Sequence, residues 1–330
     1  MSEIRIDPIS GLRAIIAAAA GSSGAFALTP AAPIDAAGDP YAEGNEARTA
    51  PELFALRADG CAADGPGWSV RVVPSGGPLL TEDAAQPPPQ DDPDLFAALA
   101  ARGSHEIVVN APQPVCSLAE LSLEQVVAAV DVWRSRMREH DDAAYVHVGV
   151  DEDATEHTHA QLHALAFVPA AVARERERFG AHAVRTMGAN LLADVLQEEV
   201  RRRKRIVAID DDAVLLCPYA SQHPFQLMLV PRRGRERFQD DGPTGAALLH
   251  RGLTLLRERF EGVSPPLSLW IRTAPRGSET PAMRTSFCWR IDVVPRLVRA
   301  GGLQLATGIA VNPVAPERAA AELRTLLSTS

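Results

Sequence analysis

The same order of predicted elements occurs twice in this chain of 330 residues. In each copy, strands precede an amphipathic helix, and two further strands separated by a loop follow it. The copies end at Val168-Pro169 and Val294-Pro295. Repetition of one supersecondary unit predicts an internal duplication, here of the α+β class, with antiparallel sheets backed by helices. We divide the chain into a first half, residues 1–175 with an N-terminal arm, and a second half, residues 176–330.

Alternation and helical spacing of apolar residues define the elements. Ser122-x-x-Gln125 resembles a capping box, and apolar residues recur at helical spacing from there through Arg138. Residues 170–205 predict one or two helices, and residues 249–260 predict another. The predicted strands are 13–16, 68–73, 106–109, 144–150, 156–163, 214–217, 226–230, 267–271 and 287–294.

The strand at 156–163 carries an unusual polar face. A period of two places His157, His159, Gln161 and His163 on one side. A strand that only packs a core has little use for such a face, because each buried imidazole or amide needs a hydrogen-bond partner. A half-exposed strand would also explain the pattern, but the whole spacing favours a functional site. The second half has Cys288-Trp289-Arg290 at the matching place, so only one half keeps the histidines.

Charge, hydropathy and cysteine use narrow the classes of protein. The net charge of −9 argues against general affinity for nucleic acid. No apolar run approaches the ~18 to 20 residues of a membrane helix, so we expect no membrane partner and a cytoplasmic location. The four cysteines are scattered without a Cys-x-x-Cys pair, which suggests neither a disulfide framework nor a thiolate zinc site.

Short segments spread over nearly the whole chain resemble the galactose-1-phosphate uridylyltransferase family of the histidine-triad superfamily. None is specific alone, but their joint order places His157-x-His159-x-Gln161 where that family has its reactive strand. The segments are 7–11, 44–46, 50–52, 71–74, 105–109, 117–122, 224–225, 229–233, 295–297, 312–314 and 316–317.

The resemblance implies two histidine-triad-like halves and a double-displacement nucleotidyl transfer. His159 would attack the α-phosphorus of a nucleoside diphosphate-sugar, and Gln161 would hydrogen-bond the phosphoryl oxygens. The expected substrate of this chain is a nucleotide or another phosphorylated small molecule. Phosphorolysis or hydrolysis of a nucleotide sugar or dinucleotide, and ligand binding without catalysis, remain alternatives. The resemblance also implies a homodimer. Further candidates for substrate binding are Thr155, Ser75, Arg290 and Asn312.

The sequence departs from the family at both metal sites. Where the family holds a structural zinc, this chain has Asp39, Ala42, Pro114 and His157. One carboxylate and one histidine are too few for a tetrahedral site, so we expect no zinc and assign His157 an orienting role. The second metal site is replaced by Cys288 and Arg290, and no cofactor is expected there.

The phosphate-binding segments differ as well. The arginine-bearing N-terminal segment corresponds to residues 19–23, which contain no cation, and the loop before the histidines is shortened to residues 151–155. Like charges ~4 Å apart cost about 4 kcal/mol at an effective dielectric of 20, so a diphosphate fits badly beside this acidic loop. We therefore expect a substrate other than UDP-galactose. A divalent metal at Asp151, Asp153 and His157 is the less favoured interpretation, and a solvated acidic loop the more favoured one.

Overall fold

Ten strands form one continuous sheet in a computed structural model that describes residues 2–17, 26–88, 95–153, 155–242, 244–276 and 287–328. The strands are β1 (Glu3–Ile6), β2 (Arg13–Ile16), β3 (Phe54–Arg57), β4 (Trp68–Pro74), β5 (Gly103–Val109), β6 (Tyr145–Glu152), β7 (His159–Leu165), β8 (Ile206–Ile209), β9 (Ala213–Leu216), β10 (Leu227–Pro231), β11 (Leu267–Arg272), β12 (Arg290–Pro295) and β13 (Ala310–Asn312). The helices are α1 (Leu123–Glu139), α2 (Ala170–Thr186), α3 (Leu191–Arg202), α4 (Ala246–Arg259), α5 (Gly302–Thr307) and α6 (Pro316–Leu327).

The strand order in the large sheet is β3-β4-β5-β7-β6-β11-β12-β10-β9-β8, and all its pairs are antiparallel. The α+β prediction is confirmed. The expected two sheets are joined into one, because β6 of the first half pairs with β11 of the second. The predicted division between residues 175 and 176 falls inside α2.

Helices cover the two faces of the sheet unequally. On one face, α1 and α4 pack over both halves and bury the main hydrophobic core, whose centre includes Trp133, Leu162 and Leu253. On the other face, α2 and α3 pack over strands of the second half, where Phe179 and Leu192 contact the cluster around Met228 and Glu175 of α2 reaches Arg290 of β12. The opposite face of the first half therefore has no covering helix pair among the described elements.

A side-chain cap begins α1 where the sequence predicted it. The hydroxyl of Ser122 accepts a hydrogen bond from the backbone N–H of Gln125 at 3.2 Å, which starts α1. Gln125 does not complete the capping box. Its side-chain amide instead donates to the carbonyl oxygens of Ser69 and Asn110, at 2.6 and 2.7 Å. This contact ties α1 to β4 and to the residue that follows β5.

The histidine strand is shorter than predicted. β7 begins at His159, so His157 and Thr158 lie before it. Thr158 is held by the segment after β5, since its N–H donates to the carbonyl of Val115 at 2.8 Å and its carbonyl accepts from the N–H of Asn110 at 3.3 Å.

β1, β2 and β13 form a separate three-stranded sheet. Within the described residues, no helix is long and apolar enough to cross a membrane.

Candidate active site

A cavity of about 510 Å³ opens beside β5 and β7 on the face that α2 and α3 leave free. Five of the seven predicted site residues line it, and Arg290 and Asn312 do not. The five are His157, His159, Gln161, Thr155 and Ser75, and the polar residues Asp35, Asp39, Tyr41, His105 and Glu156 line it with them.

His159 is held with one ring nitrogen fixed and the other turned to the cavity. The residue is only 8% exposed, and its Nδ1 lies 2.7 Å from the carbonyl oxygen of His157. Because a carbonyl oxygen only accepts, Nδ1 carries the proton and donates it. In the neutral ring, Nε2 therefore keeps its lone pair. No described residue hydrogen-bonds to Nε2.

His157 bridges two acceptors in the interior. Its Nδ1 lies 2.6 Å from Oδ2 of Asp39, and its Nε2 lies 2.8 Å from the carbonyl oxygen of Ala111. Both Asp39 and His157 are buried. The two potential metal ligands at the zinc position, Asp39 and His157, thus bond to each other. Ala42 and Pro114 have no side-chain group that could bind a metal. A zinc ion does not fit this residue set, since it would need four ligands. Instead, the contacts fix the carbonyl that orients His159.

Three further imidazoles, beginning with His105 at the cavity, extend the polar face across neighbouring strands. His105 on β5 and His147 on β6 are both register partners of His163 on β7. The rings of His105 and His163 stack with centroids 4.1 Å apart, and those of His147 and His163 lie 6.1 Å apart. His163, the last histidine of the predicted polar face, belongs to this row.

Burial keeps the row uncharged near neutral pH. It lowers the pKa of His163 to about 4, with help from His105 and His147, and it also lowers the pKa of His105 and of His147. Nδ1 of His105 accepts a hydrogen bond from the backbone N–H of Leu79 at 3.2 Å, so Nε2 carries its proton. The side chain of Gln161 opposes this lowering of the His105 pKa. Nε2 of His105 is buried and has no hydrogen-bond partner among the described residues.

The electrostatic character of the cavity is acidic. Asp35, Asp39 and Glu156 line it, and among the described residues no Arg or Lys does. The hydroxyl of Tyr41 is affected by these charges. Its pKa is raised mainly by burial, and further by the carboxylates of Glu156 and Asp39. Its ring centroid lies 5.3 Å from that of His159. Residues 19–23, where the sequence suggested a lost phosphate cation, lie outside the described residues.

The acidic loop sends its three carboxylates in different directions. Asp151 binds the Ser268 hydroxyl and Arg296, the latter at 3.1 Å, and exposed Asp153 accepts from the Thr155 hydroxyl at 2.9 Å. Asp151, Asp153 and His157 are thus not brought together. In the described parts of the chain, no three His, Cys, Asp or Glu residues are grouped to hold a metal ion.

Glu152 turns to the helix-covered face. Its carboxylate accepts from the Leu118 N–H at 2.6 Å, the Ser117 hydroxyl at 2.7 Å and the Thr158 hydroxyl at 3.3 Å. Burial raises the pKa of this carboxyl to about 7. Glu152 therefore supports, from behind, the segment that carries both His157 and His159.

Arg290 takes part in a buried ion cluster in the second half. It is 5% exposed and makes two bonds to Glu175, at 3.0 and 3.1 Å, and one to Asp292 at 3.0 Å. Burial would lower the pKa of the guanidinium, but the Asp292 and Glu175 carboxylates outweigh it and raise that pKa. Its donors are committed within the protein, which replaces the predicted contact with substrate by a structural role.

Asn312 is fully buried and its amide is saturated. The side-chain N–H groups donate to the carbonyl oxygens of Ser221 and His223 at 3.0 and 3.1 Å, and Oδ1 accepts from the Val314 N–H at 2.9 Å. It does not line the cavity of His159. Asn312 therefore joins β13 to the loop before β10.

Sequence reasoning did not assign five polar residues of the cavity, among them Asp39, His105 and Tyr41. Asp39 was identified only as a deficient zinc ligand, although it is the partner of His157. His105 begins one of the family-like segments, which could have indicated its place beside the reactive strand. Tyr41 gave no signal, because it lies in an irregular arm with no periodicity to place it.

Comparisons with known proteins agree with the geometry. The N-terminal domain of galactose-1-phosphate uridyl transferase matches residues 78–169, which include the histidine strand. A probable galactose-1-phosphate uridylyltransferase of Drosophila melanogaster is 29% identical over 75% of this chain and 75% of its own length. Galactose-1-phosphate uridylyltransferase of Rattus norvegicus is 30% identical over 76% of this chain and 69% of its own length.

Among solved structures, an ADP-glucose phosphorylase from Arabidopsis thaliana with bound ADP-glucose superimposes with a TM-score of 0.79 at 22% identity, covering 98% of this chain and 99% of that one. This likeness shows a shared fold. Together with the sequence matches, it identifies the family. The chain belongs to the galactose-1-phosphate uridylyltransferase family.

Proposed function

We propose that this protein transfers a nucleoside monophosphate through a covalent intermediate on His159, from a donor other than UDP-galactose. The observation that carries the proposal is the hydrogen bond from His159 Nδ1 to the His157 carbonyl, which leaves Nε2 unprotonated at the cavity. Neutral imidazole is nucleophilic near pH 7 and forms covalent intermediates. Membership of a nucleotidyltransferase family supports the same chemistry.

The transfer proceeds in two displacements. The lone pair of His159 Nε2 forms a bond to the α-phosphorus, and the bond from that phosphorus to the bridging oxygen breaks, so that the leaving phosphate takes the electron pair. Nδ1 keeps its proton and its hydrogen bond to the carbonyl of His157, so the adduct is a phosphorylated imidazolium. An oxygen of the second, phosphorylated substrate then attacks the same phosphorus. The nitrogen–phosphorus bond breaks and the neutral ring returns.

The other residues of the cavity bind and orient. Gln161 lies one β-sheet repeat from His159 on the same face, so its amide N–H groups are placed to bind phosphoryl oxygens that gain charge in the transition state. The hydroxyls of Ser75 and Thr155 line the same cavity and bind the remaining polar groups of the nucleotide. Asp39 and His157 keep the orienting carbonyl in place.

Intact-mass measurement at alkaline pH tests the proposal. The protein is incubated with a panel of nucleotide sugars, dinucleotides and nucleoside triphosphates, and we expect one donor to add the mass of a nucleoside monophosphate. His159→Ala should abolish the adduct. His163→Ala, on the same strand face but outside the cavity lining, should retain it. No adduct with any donor, or an adduct that survives His159→Ala, would refute the proposal.

A phosphorylase with the same intermediate is the second candidate. ADP-glucose phosphorylase of Arabidopsis thaliana is 24% identical over 86% of this chain, and that enzyme's name fits inorganic phosphate as the acceptor. Product analysis with and without inorganic phosphate separates the two, since only phosphorolysis yields a nucleoside diphosphate whose formation depends on added phosphate. Release of the free monophosphate would instead indicate hydrolysis. A donor that stabilises wild type and His159→Ala equally, with no turnover by either, would indicate a binding protein.

A further inference from the structure

The cavity of His159 has a charge of the wrong sign for a bare diphosphate. Asp35 and Glu156 line it, both are exposed, and neither forms an ion pair with a described residue. Asp39 is already partnered by His157. Since the described lining has no Arg or Lys, nothing there neutralises the phosphates of a donor.

A second feature points to a ligand at this place. His159 is 8% exposed and lines the cavity, and no described residue hydrogen-bonds to its Nε2. A nucleophilic nitrogen left bare in an acidic cavity needs an electrophile that can approach the carboxylates. A free dianionic diphosphate cannot do so without a counter-ion.

From these two observations we infer that the donor enters as a complex with a divalent cation, and that Asp35 and Glu156 bind this cation at the rim of the cavity. The inference rests on the proposed function. Mg²⁺ typically keeps several waters and is bound by one or two carboxylates together with substrate phosphates, without a complete protein cage. Two carboxylates are therefore sufficient, although no three-ligand cluster occurs in the described ranges.

The cation has two tasks in this arrangement. It neutralises the diphosphate so that the phosphorus can reach Nε2, and it stabilises the charge on the leaving phosphate when the bridging bond breaks. Asp151 cannot serve, because it is engaged with Ser268 and Arg296. The site thus differs from the set Asp151, Asp153 and His157 that the sequence suggested.

Binding and chemistry are measured separately, so that the two proposals can fail independently. ADP and UDP are titrated into the full-length His159→Ala variant, which cannot form the adduct, with MgCl₂ or with EDTA. We expect at least one of them to bind at least tenfold more tightly with Mg²⁺. The double variant Asp35→Asn, Glu156→Gln, built on His159→Ala, should lose that gain. Asp59→Asn, which removes an exposed carboxylate outside the cavity, should keep it.

Equal affinity in MgCl₂ and EDTA, or no binding in either, would overturn the inference. With wild type, the rate of adduct formation should fall at least tenfold in EDTA and return with Mg²⁺ or Mn²⁺. An adduct that forms at the same rate in EDTA would overturn the inference while leaving the proposed function intact. Metal-dependent binding without any adduct would do the reverse.

Discussion

The two halves of the sheet use the same face for opposite purposes. Register partners run without interruption from Gln161 through Gly149, Trp270 and Asp292 to Met228, so all five lie on one face. Over the second half, α2 and α3 seal that face with an apolar cluster. Over the first half, no described helix pair covers it: Tyr41 of the N-terminal arm packs against the apolar cluster of Ile107 and Val109, and the cavity of His159 opens beside that cluster. Duplication thus supplied one frame, and the covering helices decided which half keeps a site.

Hydrogen-bonded side chains occupy both positions where the family resemblance implies a metal. In the first half, Asp39 and His157 bond to each other, and the backbone carbonyl of His157 accepts from Nδ1 of His159, which lines the cavity. In the second half, Arg290 is enclosed by Glu175 and Asp292 and does not line the cavity of His159. Bonds between side chains can therefore fill the position of a family metal, and in the first half the same bonds also orient a residue of the candidate site.

Of the substitutions considered, removal of Arg290 in the second half should cause the largest loss of unfolding free energy. Arg290→Ala leaves Glu175 and Asp292 buried without their main cation, and breaking a buried pair costs about 3 to 5 kcal/mol. Urea denaturation should show that loss of unfolding free energy. Adduct formation per folded molecule should stay unchanged, because the cluster does not touch the cavity. Arg201→Ala, which removes an exposed ion pair with Glu198, is the matched control and should leave the midpoint near that of wild type.

Gln161→Ala should produce the converse result in the first half. Loss of one preorganised donor typically lowers a rate by a factor of about 10² to 10³, or about 3 to 4 kcal/mol. Single-turnover adduct formation should fall by that factor with little change in urea midpoint, since Gln161 is only partly buried. A tenfold or smaller loss would show that phosphoryl oxygens bind elsewhere. Gln161→Glu should be at least as damaging, because it adds a carboxylate facing the phosphate.

Ionisation of Glu152, in the first half, should make the unfolding free energy depend on pH. Folding raises the pKa of this carboxyl from 4.5 to about 7, so between these values the folded protein holds a proton that the unfolded chain has released. Stability is therefore lost as the pH rises through that window, by about 3 kcal/mol for a shift of this size. Glu152→Gln cannot ionise, so from pH 5 to 8 its unfolding free energy should gain about that amount relative to wild type.

The measurement is urea denaturation of both proteins at several pH values. A difference between variant and wild type that stays flat from pH 5 to 8 would show that the pKa of Glu152 is not raised by folding. His163 provides an internal contrast. Its pKa is lowered to about 4, so its contribution is lost in the other direction, as the pH falls below about 6.5.

Local pattern predicted most strands and helices because their periodicity is written within a few residues. Alternation placed β2 at Arg13–Ile16 with its observed ends, and Ser122 marked the start of α1. The same reasoning gave His159 and Gln161 a common face, which is the core of the candidate site. What it extended too far was the strand itself, since Thr158 is held by Val115 and Asn110 and not by a sheet neighbour.

Periodicity could not predict partners across long sequence distances, and only the family resemblance placed Asp39 and His157 at one position, as remnants of a zinc site and not as a bonded pair. Asp39 and His157 are separated by 118 positions, and Glu175 and Arg290 by 115. No spacing rule connects such residues, because the chain path between them decides whether they meet. For the same reason, the sequence indicated two sheets, whereas the pairing of β6 with β11 joins them into one.

The smallest predicted effect separates the charge of Asp39 from its hydrogen bond. Asp39→Ala leaves Nδ1 of buried His157 without a partner, which should cost about 2 kcal/mol of unfolding free energy and slow adduct formation, because the His157 carbonyl loses its anchor. Asp39→Asn can donate an amide N–H to Nδ1 of a neutral ring while Nε2 still donates to Ala111, so most of the rate should return. Single-turnover rates and urea midpoints of both variants test this. If Asn is as damaging as Ala, the negative charge itself is required, and the pair in the first half would then resemble the ion cluster around Arg290.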